Sequence, residues 1–364
     1  MLVTFLVGNG FDISCGLKTS YKDFYEWYLN QPSSSSSIIK MKKSISIDYE
    51  NWADFEMGLS EYTTNFKASV INDFYECYDD AQINMIKYLQ FQDNSVNLDL
   101  LTEEQILDFR NSIFNFYDEL PSKGKSEIGV LLEEEQIIDY SFISYNYTSV
   151  LNKILLKINQ IENKYERAQP FLMKKCRIKP NVINIHGSLE NHPILGVSEE
   201  AFIVNKEIID TPYFKQTMVK ADAVKAIDEA WYDSANSLIN KSNVVCIFGM
   251  SLGDSDSLWW KNIINHLETQ SLSHLIIYWY TKNPPDNISA RSVAINKDKV
   301  KEILYKSTGL SKDRITKIEE RIHIIFNTKQ VLQISVPKAV TLPVNKDVMK
   351  TSISEVKKLI REKS

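Results

Sequence analysis

The sequence predicts an α/β fold: a Rossmann-like, mostly parallel sheet with helices on both faces and a large α-helical insertion. Three observations carry this expectation. The chain opens on a run of six apolar or β-branched residues, Leu2 to Val7, that ends in Gly8-Asn9-Gly10. From residue 136 onward, short apolar runs alternate with helix-length amphipathic segments, the pattern of strand–helix–strand units. Between these parts, 31–135 reads as helical. The expected organisation is therefore a nucleotide-binding core over 1–30 plus 136–330, a helical insertion or cap over 31–135, and a tail segment over 331–364.

Taken in order, 2–7 is a buried strand, followed by a glycine turn and a helix entered near Ser14. A strand that ends in glycines and feeds a helix leaves bare backbone N–H groups at a helix N-terminus, a ready anion site. A helix over 20–30 turns Phe24, Trp27 and Tyr28 inward, and Gln31-Pro32 with the serine run Ser33 to Ser37 predicts a flexible loop. In the insertion, Phe66, Val70, Phe74 and Tyr78 recur at four-residue spacing. Ile106, Phe109, Ile113, Phe116 and Leu120 follow a similar rhythm. Its many aromatic residues read first as core packing. Strands are then expected at 141–144, 182–185, 194–197, 244–248, 275–280 and 322–326. Helical sequence lies between them at 148–163, 213–239, 255–267 and 297–305.

Composition narrows the class. A hydrophobic fraction of 43% and no apolar run of membrane length point to a soluble, cytoplasmic chain. Cys15, Cys77, Cys176 and Cys246 are scattered with no C-x-x-C pair, which suits a reducing compartment and no zinc ribbon. No His-x-x-x-His pair or carboxylate-rich loop appears, so no metal site is expected. Net charge is −5, but Asn30 to Glu135 holds 20 acidic and 8 basic residues, leaving +7 elsewhere. The basic part contains the glycine turn, which suits an anionic ligand as readily as a merely solvated acidic insertion. No basic patch with interleaved aromatics supports direct nucleic-acid binding.

Four strands deliver polar or glycine-rich tips. They are Gly8-Asn9-Gly10-Phe11-Asp12, Tyr145-Asn146-Tyr147-Thr148, His186-Gly187-Ser188, and Gly249-Met250-Ser251-Leu252-Gly253-Asp254. In a parallel sheet these gather along one edge, where ligands of such sheets sit. Each has a plainer reading. Gly8-Asn9-Gly10 lacks the third glycine of a dinucleotide fingerprint, position 13 being Ile, and can be a bare turn. Asp12 can hold a ribose hydroxyl or cap a helix. Asn146 can be a turn residue, His186 a structural histidine, and Ser251 with Asp254 a capping pair. In Trp259-Trp260 at most one ring is expected to face the sheet, the other meeting the insertion or a neighbouring subunit of a homo-oligomer.

The order of these tips resembles the sirtuin-like (SIR2-like) NAD-binding fold. The segments GNGFDISCGLKTSYKDF at 8–24 and FGMSLGDSD at 248–256, with the helical insertion between, resemble the bacteriophage abortive infection AbiH family. That resemblance implies an anti-phage effector that binds NAD. The glycine turn, through Gly8, Asn9, Gly10 and Phe11, would cradle phosphates. Asp12 or Asp254 would bind ribose, and Gly249 with Ser251 would hold the adenosine side. Asn146 and His186 would flank the nicotinamide ribose, with His186 as general base for NAD hydrolysis. The scattered cysteines cannot supply a deacetylase-type zinc module, so water is the expected acceptor. Thr148 stands where such hydrolases often have Asp. The alternatives are a non-catalytic nucleotide-binding sensor responding to a phage-derived trigger and, ranked lower, a nuclease.

Overall fold

The computed structural model describes residues 1–164, 170–171, 174–227, 230–285, 289–309 and 311–339. Strand β1 (Leu2–Val7) leads into the one-turn helix α1 (Gly10–Ser14), then α2 (Tyr21–Tyr28), α3 (Ser36–Ile47), α4 (Phe55–Tyr62) and the 23-residue α5 (Ile71–Asp93). Helices α6 (Glu103–Phe114) and α7 (Ser122–Glu134) precede β2 (Ile137–Ser144) and α8 (Val150–Lys164). After β3 (Pro170–Phe171) and β4 (Lys174–Asn184) come α9 (Phe214–Met218), α10 (Lys220–Ala226) and α11 (Trp231–Asn240). The rest runs through β5 (Val244–Phe248), α12 (Ser257–Thr269), β6 (His274–Trp279), α13 (Ala290–Thr308), α14 (Lys312–Thr316) and β7 (Ile322–Phe326).

The sheet has the order β3-β4-β2-β1-β5-β6-β7, parallel throughout except for the two-residue β3 at its edge. Strands β1 and β5 are covered on both faces, and their residues are apolar but for Thr4, whose buried hydroxyl shares a 2.6 Å hydrogen bond with that of Ser242. Alternation still sorts the side chains. Val3, Phe5 and Val7 enter the layer under α6, α7 and α8, while Leu6 faces α11, α12 and α13. Phe5 stacks on Phe142 at 5.3 Å and meets Phe116 edge-on at 6.4 Å.

The segment 31–135 divides between two packing environments. Helices α3, α4 and α5, with α2 and apolar residues between Leu195 and Val219, build their own cluster over the sheet's carboxyl edge. From Leu98 to Leu132 the apolar stripes of α6 and α7 instead pack directly on β1 and β2. Val331 and Leu332 of the expected tail are buried in that same layer, and the Asn97 amide donates to the Pro337 carbonyl at 2.8 Å. Residues 340–364 lie outside the described residues.

Local departures from expectation have local causes. The helix begins at Gly10, not near Ser14, because the turn delivers Phe11 straight into the core against Phe109 and Phe248. Tyr25 takes the buried position expected for Trp27, and Ser36 and Ser37 join α3. The strand expected at 194–197 reduces to a single bridge between Val197 and Val219, and 213–239 is broken into α9, α10 and α11. Trp259 and Trp260 are both buried. One ring packs on Tyr232, while the other stacks on Tyr145 and donates its Nε1–H to the Gly253 carbonyl at 3.0 Å. All four cysteines are free and buried. Among the described residues no helix is long and apolar enough to cross a membrane.

Phe5 lies at the centre of the sheet with no exposed surface. Phe5→Ala is expected to lower the unfolding free energy by about 3–5 kcal/mol, read as a shifted denaturant midpoint with an unchanged slope.

Candidate functional site

Strand register creates the site. Val7 pairs with both Ser144 and Phe248, and Ser144 pairs with Asn184, so four strands end at one level. The chain moves outward from β1 through β2 to β4, then crosses back to β5 on the other side of β1. That reversal is the topological switch point at which open α/β sheets bind ligands. A cleft of about 460 Å³ lies here, with the four tips as its floor and residues of α2, α4 and α5 as its roof.

The glycines at the switch point serve backbone contact between two tips. A Cβ on Gly10 would lie 2.5 Å from the Gly249 Cα, and Gly249 itself has a φ of +69°. The Gly8 amide donates to the Phe248 carbonyl at 2.9 Å, Gly10 to Gly249 at 2.8 Å, and Phe11 to Gly8 at 3.0 Å. Three amides expected to cradle phosphate are therefore engaged within the fold. Phe11 is fully buried, and the Asn9 side chain is bonded to Thr19, closing the loop between them.

Asp12 is a buried carboxyl on the cleft floor. Its Oδ2 accepts from the Thr148 hydroxyl at 2.5 Å, and its Oδ1 from Asn146 Nδ2 at 3.2 Å, a nitrogen that also donates to the Gly8 carbonyl. Burial raises its pKa to about 7. The Thr148 and Asn146 hydrogen bonds only partly oppose this, and the charge of Asp93 adds to it. Asp12 is thus brought toward neutrality, as is Glu56 of the same cleft, which burial pushes up to about 8. His186 is held below its ordinary value by burial and then by the nearby Lys220 ammonium, against the opposing pull of Asp256.

His186 Nε2 sits 3.0 Å from Asp256 Oδ1, and that same oxygen accepts from Lys220 Nζ at 2.9 Å. Lys220 also donates to Glu56 Oε2 at 2.9 Å and to the Ser255 carbonyl at 3.1 Å. Lys220 and Glu56 are almost fully buried, so the chain His186–Asp256–Lys220–Glu56 ties a strand tip to α12, α10 and α4. Burial would raise the Asp256 pKa, but Lys220 and His186 outweigh it and hold the group well below the carboxylate range. Glu56 is pushed upward by burial, because Lys220 is shared with Asp256 and cannot fully offset it.

Asn146, His186, Gly249 and Ser251 line the cleft, as do Gly8, Asn9 and Asp12. Gly10, Phe11 and Asp254 do not. The 3₁₀ turn at Asp254–Asp256 has about three residues per turn, so the two carboxylates leave it in different directions, and Asp256 is the one in the cleft. Sequence reasoning missed Glu56 and Lys220 as well. Lys220 was visible only as a cation directly after the apolar Met218-Val219 pair. The lining carries four carboxyl groups, Asp12, Asp54, Glu56 and Asp256, and one lysine, Lys22. Two of those groups come from the acidic segment itself, carried in by α4 and its N-cap Asp54.

Residues 4–278, well over half of the chain, match the family profile described as "Bacteriophage abortive infection AbiH". No curated protein matches the chain.

The buried charges make two predictions. Asp12 binds its proton more tightly folded than unfolded, so its contribution to stability is complete below its unfolded value of 3.8 and is lost as pH rises through about 7. Between pH 4 and pH 8 wild type is expected to lose up to about 4 kcal/mol more than Asp12→Asn in denaturant unfolding. Equal pH slopes would contradict the burial. Lys220→Met leaves Glu56 and Asp256 without their cation. It is expected to cost about 3–5 kcal/mol and to raise the His186 titration followed by NMR.

Proposed function

The chain belongs to the bacteriophage abortive infection AbiH family, and on that premise we propose that it acts in abortive infection as an NAD hydrolase. Its parallel sheet is then used in the sirtuin-like way. The cleft takes the nicotinamide riboside half of NAD, a cation, against the acidic and aromatic lining formed by Asp12, Asp54, Glu56, Tyr21 and Tyr147. With the glycine-turn amides engaged, the pyrophosphate lies at the outer rim, near Lys22 and the exposed Ser251.

The observation that carries this reading is the Asp12 carboxyl, poised near neutrality and paired with Asn146 on the cleft floor. Ionised Asp12 accepts a proton from the attacking water. The water oxygen bonds to the ribose anomeric carbon as the carbon–nitrogen bond breaks. That bonding pair neutralises the pyridinium nitrogen, releasing nicotinamide and ADP-ribose. Positive charge that grows on the ribose in the oxocarbenium-like transition state lies beside Asp12 and the ionised Asp256. Asn146 has its amide nitrogen committed to Gly8 and Asp12, so its carbonyl oxygen is the group that orients a ribose hydroxyl or the water. His186, held by Asp256, is a positioning residue for the ribose in this scheme and not the base.

Purified protein is expected to convert NAD to nicotinamide at a rate that rises through about pH 7 to a plateau as Asp12 ionises. Asp12→Asn is expected to lose about 10²–10⁴-fold in turnover, and Asn146→Ala and His186→Ala to lose activity while their circular dichroism stays native. Unchanged turnover in all three variants would overturn the assignment. Saturable NAD binding by calorimetry with no nicotinamide release, with or without phage infection, would instead mark a nucleotide-binding sensor.

A further inference from the structure

At the opposite, amino-terminal edge of the sheet, the register of β6 and β7 sets two histidines side by side on the face covered by α7. Ile276 pairs with His323, and His274 begins β6. The rings are stacked at an interplanar angle of 18°, with His274 Nδ1 3.0 Å from His323 Nε2. Helix α7 comes down on them through Gly124, where a Cβ would stand 3.0 Å from the His323 ring. One turn further on, α7 presents Glu127. Its Oε2 is buried and has no hydrogen-bond partner among the described residues. One donor atom from each of Glu127, His274 and His323 lies within 4.8 Å of the others.

We propose that Glu127, His274 and His323 bind a borderline divalent transition ion of the zinc class, with one coordination position left to water. Bonds of about 2.0–2.2 Å from imidazole nitrogen and carboxylate oxygen require only that the carboxylate and rings close modestly around the ion. The nitrogens are already near the spacing of two corners of a tetrahedron. Two imidazoles and one carboxylate are a donor set that such an ion takes. Lys123 does not fill the place. Its ammonium is 3.8 Å from Glu127 Oε1 but 2.8 Å from Glu320, its closer partner. The charges of Lys123, Lys297 and Lys301 around His323 oppose a hard cation held by charge alone, so the set favours an ion with strong imidazole affinity over magnesium or calcium. The ion would staple α7 to β6 and β7, far from the cleft, so this site stands independently of the NAD reading.

Tag-free, full-length protein stripped with EDTA is the material for the test, titrated with zinc chloride by calorimetry and with cobalt chloride by visible absorption. One equivalent of zinc is expected, with a rise in melting temperature and a tetrahedral cobalt spectrum. Glu127→Gln and His323→Asn are expected to weaken zinc binding by roughly tenfold or more and to abolish the thermal shift, while Asp12→Asn leaves both unchanged. Absence of a saturable equivalent, or zinc binding that survives both substitutions, would overturn the proposal.

Discussion

The structure depends on β1 being flanked by β2 on one side and β5 on the other, all three ending at the same level. Two parallel strands that end together must send their loops over one another, and here the loops pass with backbone against backbone. Gly8 and Gly10 meet Gly249 with no room for a Cβ on either side. This contact engages the amides of Gly8 and Gly10 at the switch point, while the cleft lies over all four tips. The polar groups left to the cleft are therefore side chains such as Asp12, Asn146, His186 and Asp256, and not these amides.

The cleft holds two kinds of buried charge. Asp12 is a carboxyl with neutral donors only, Thr148 and Asn146, so its ionised form costs free energy and its proton is held to near-neutral pH. Asp256 has the Lys220 ammonium on one side and the His186 ring on the other, and stays ionised. Lys220 is also the link between the helical roof and the core, because Glu56 of α4 and Asp256 beside α12 share it. A buried network of this kind adds little net stability compared with apolar packing. What it supplies is one arrangement of roof over floor, since any other leaves a charge unpaired.

Much of the core was legible because its signals are local. The apolar and β-branched run of β1, the 244–248 strand and the amphipathic helix over 148–163 each report burial directly. The tips were legible as places, and Asn146, His186 and Ser251 do line one cleft. Their bonding was not. Asn9 and Phe11 look like phosphate-loop residues until Thr19 and Phe109 are seen to occupy them. Asp254 and Asp256 differ by two positions, and only the 3₁₀ turn decides which one faces inward. The acidic count of 31–135 suggested a solvated face, whereas tertiary packing carries Asp54 and Glu56 into the cleft.

By itself, then, the sequence determined the α/β class, the central strands of the sheet, the family and the strand tips that meet at one cleft. All of these follow from patterns within a few residues or from one contiguous motif. Tertiary structure alone decided which tip amides are free, that Asp12 titrates near neutrality, and that Lys220 meets Glu56 across 164 positions. It also set His274 beside His323 across 49. Desolvation and charge pairing depend on what the rest of the chain places within a few ångströms, and that information is in the fold, not in the spacing of residues.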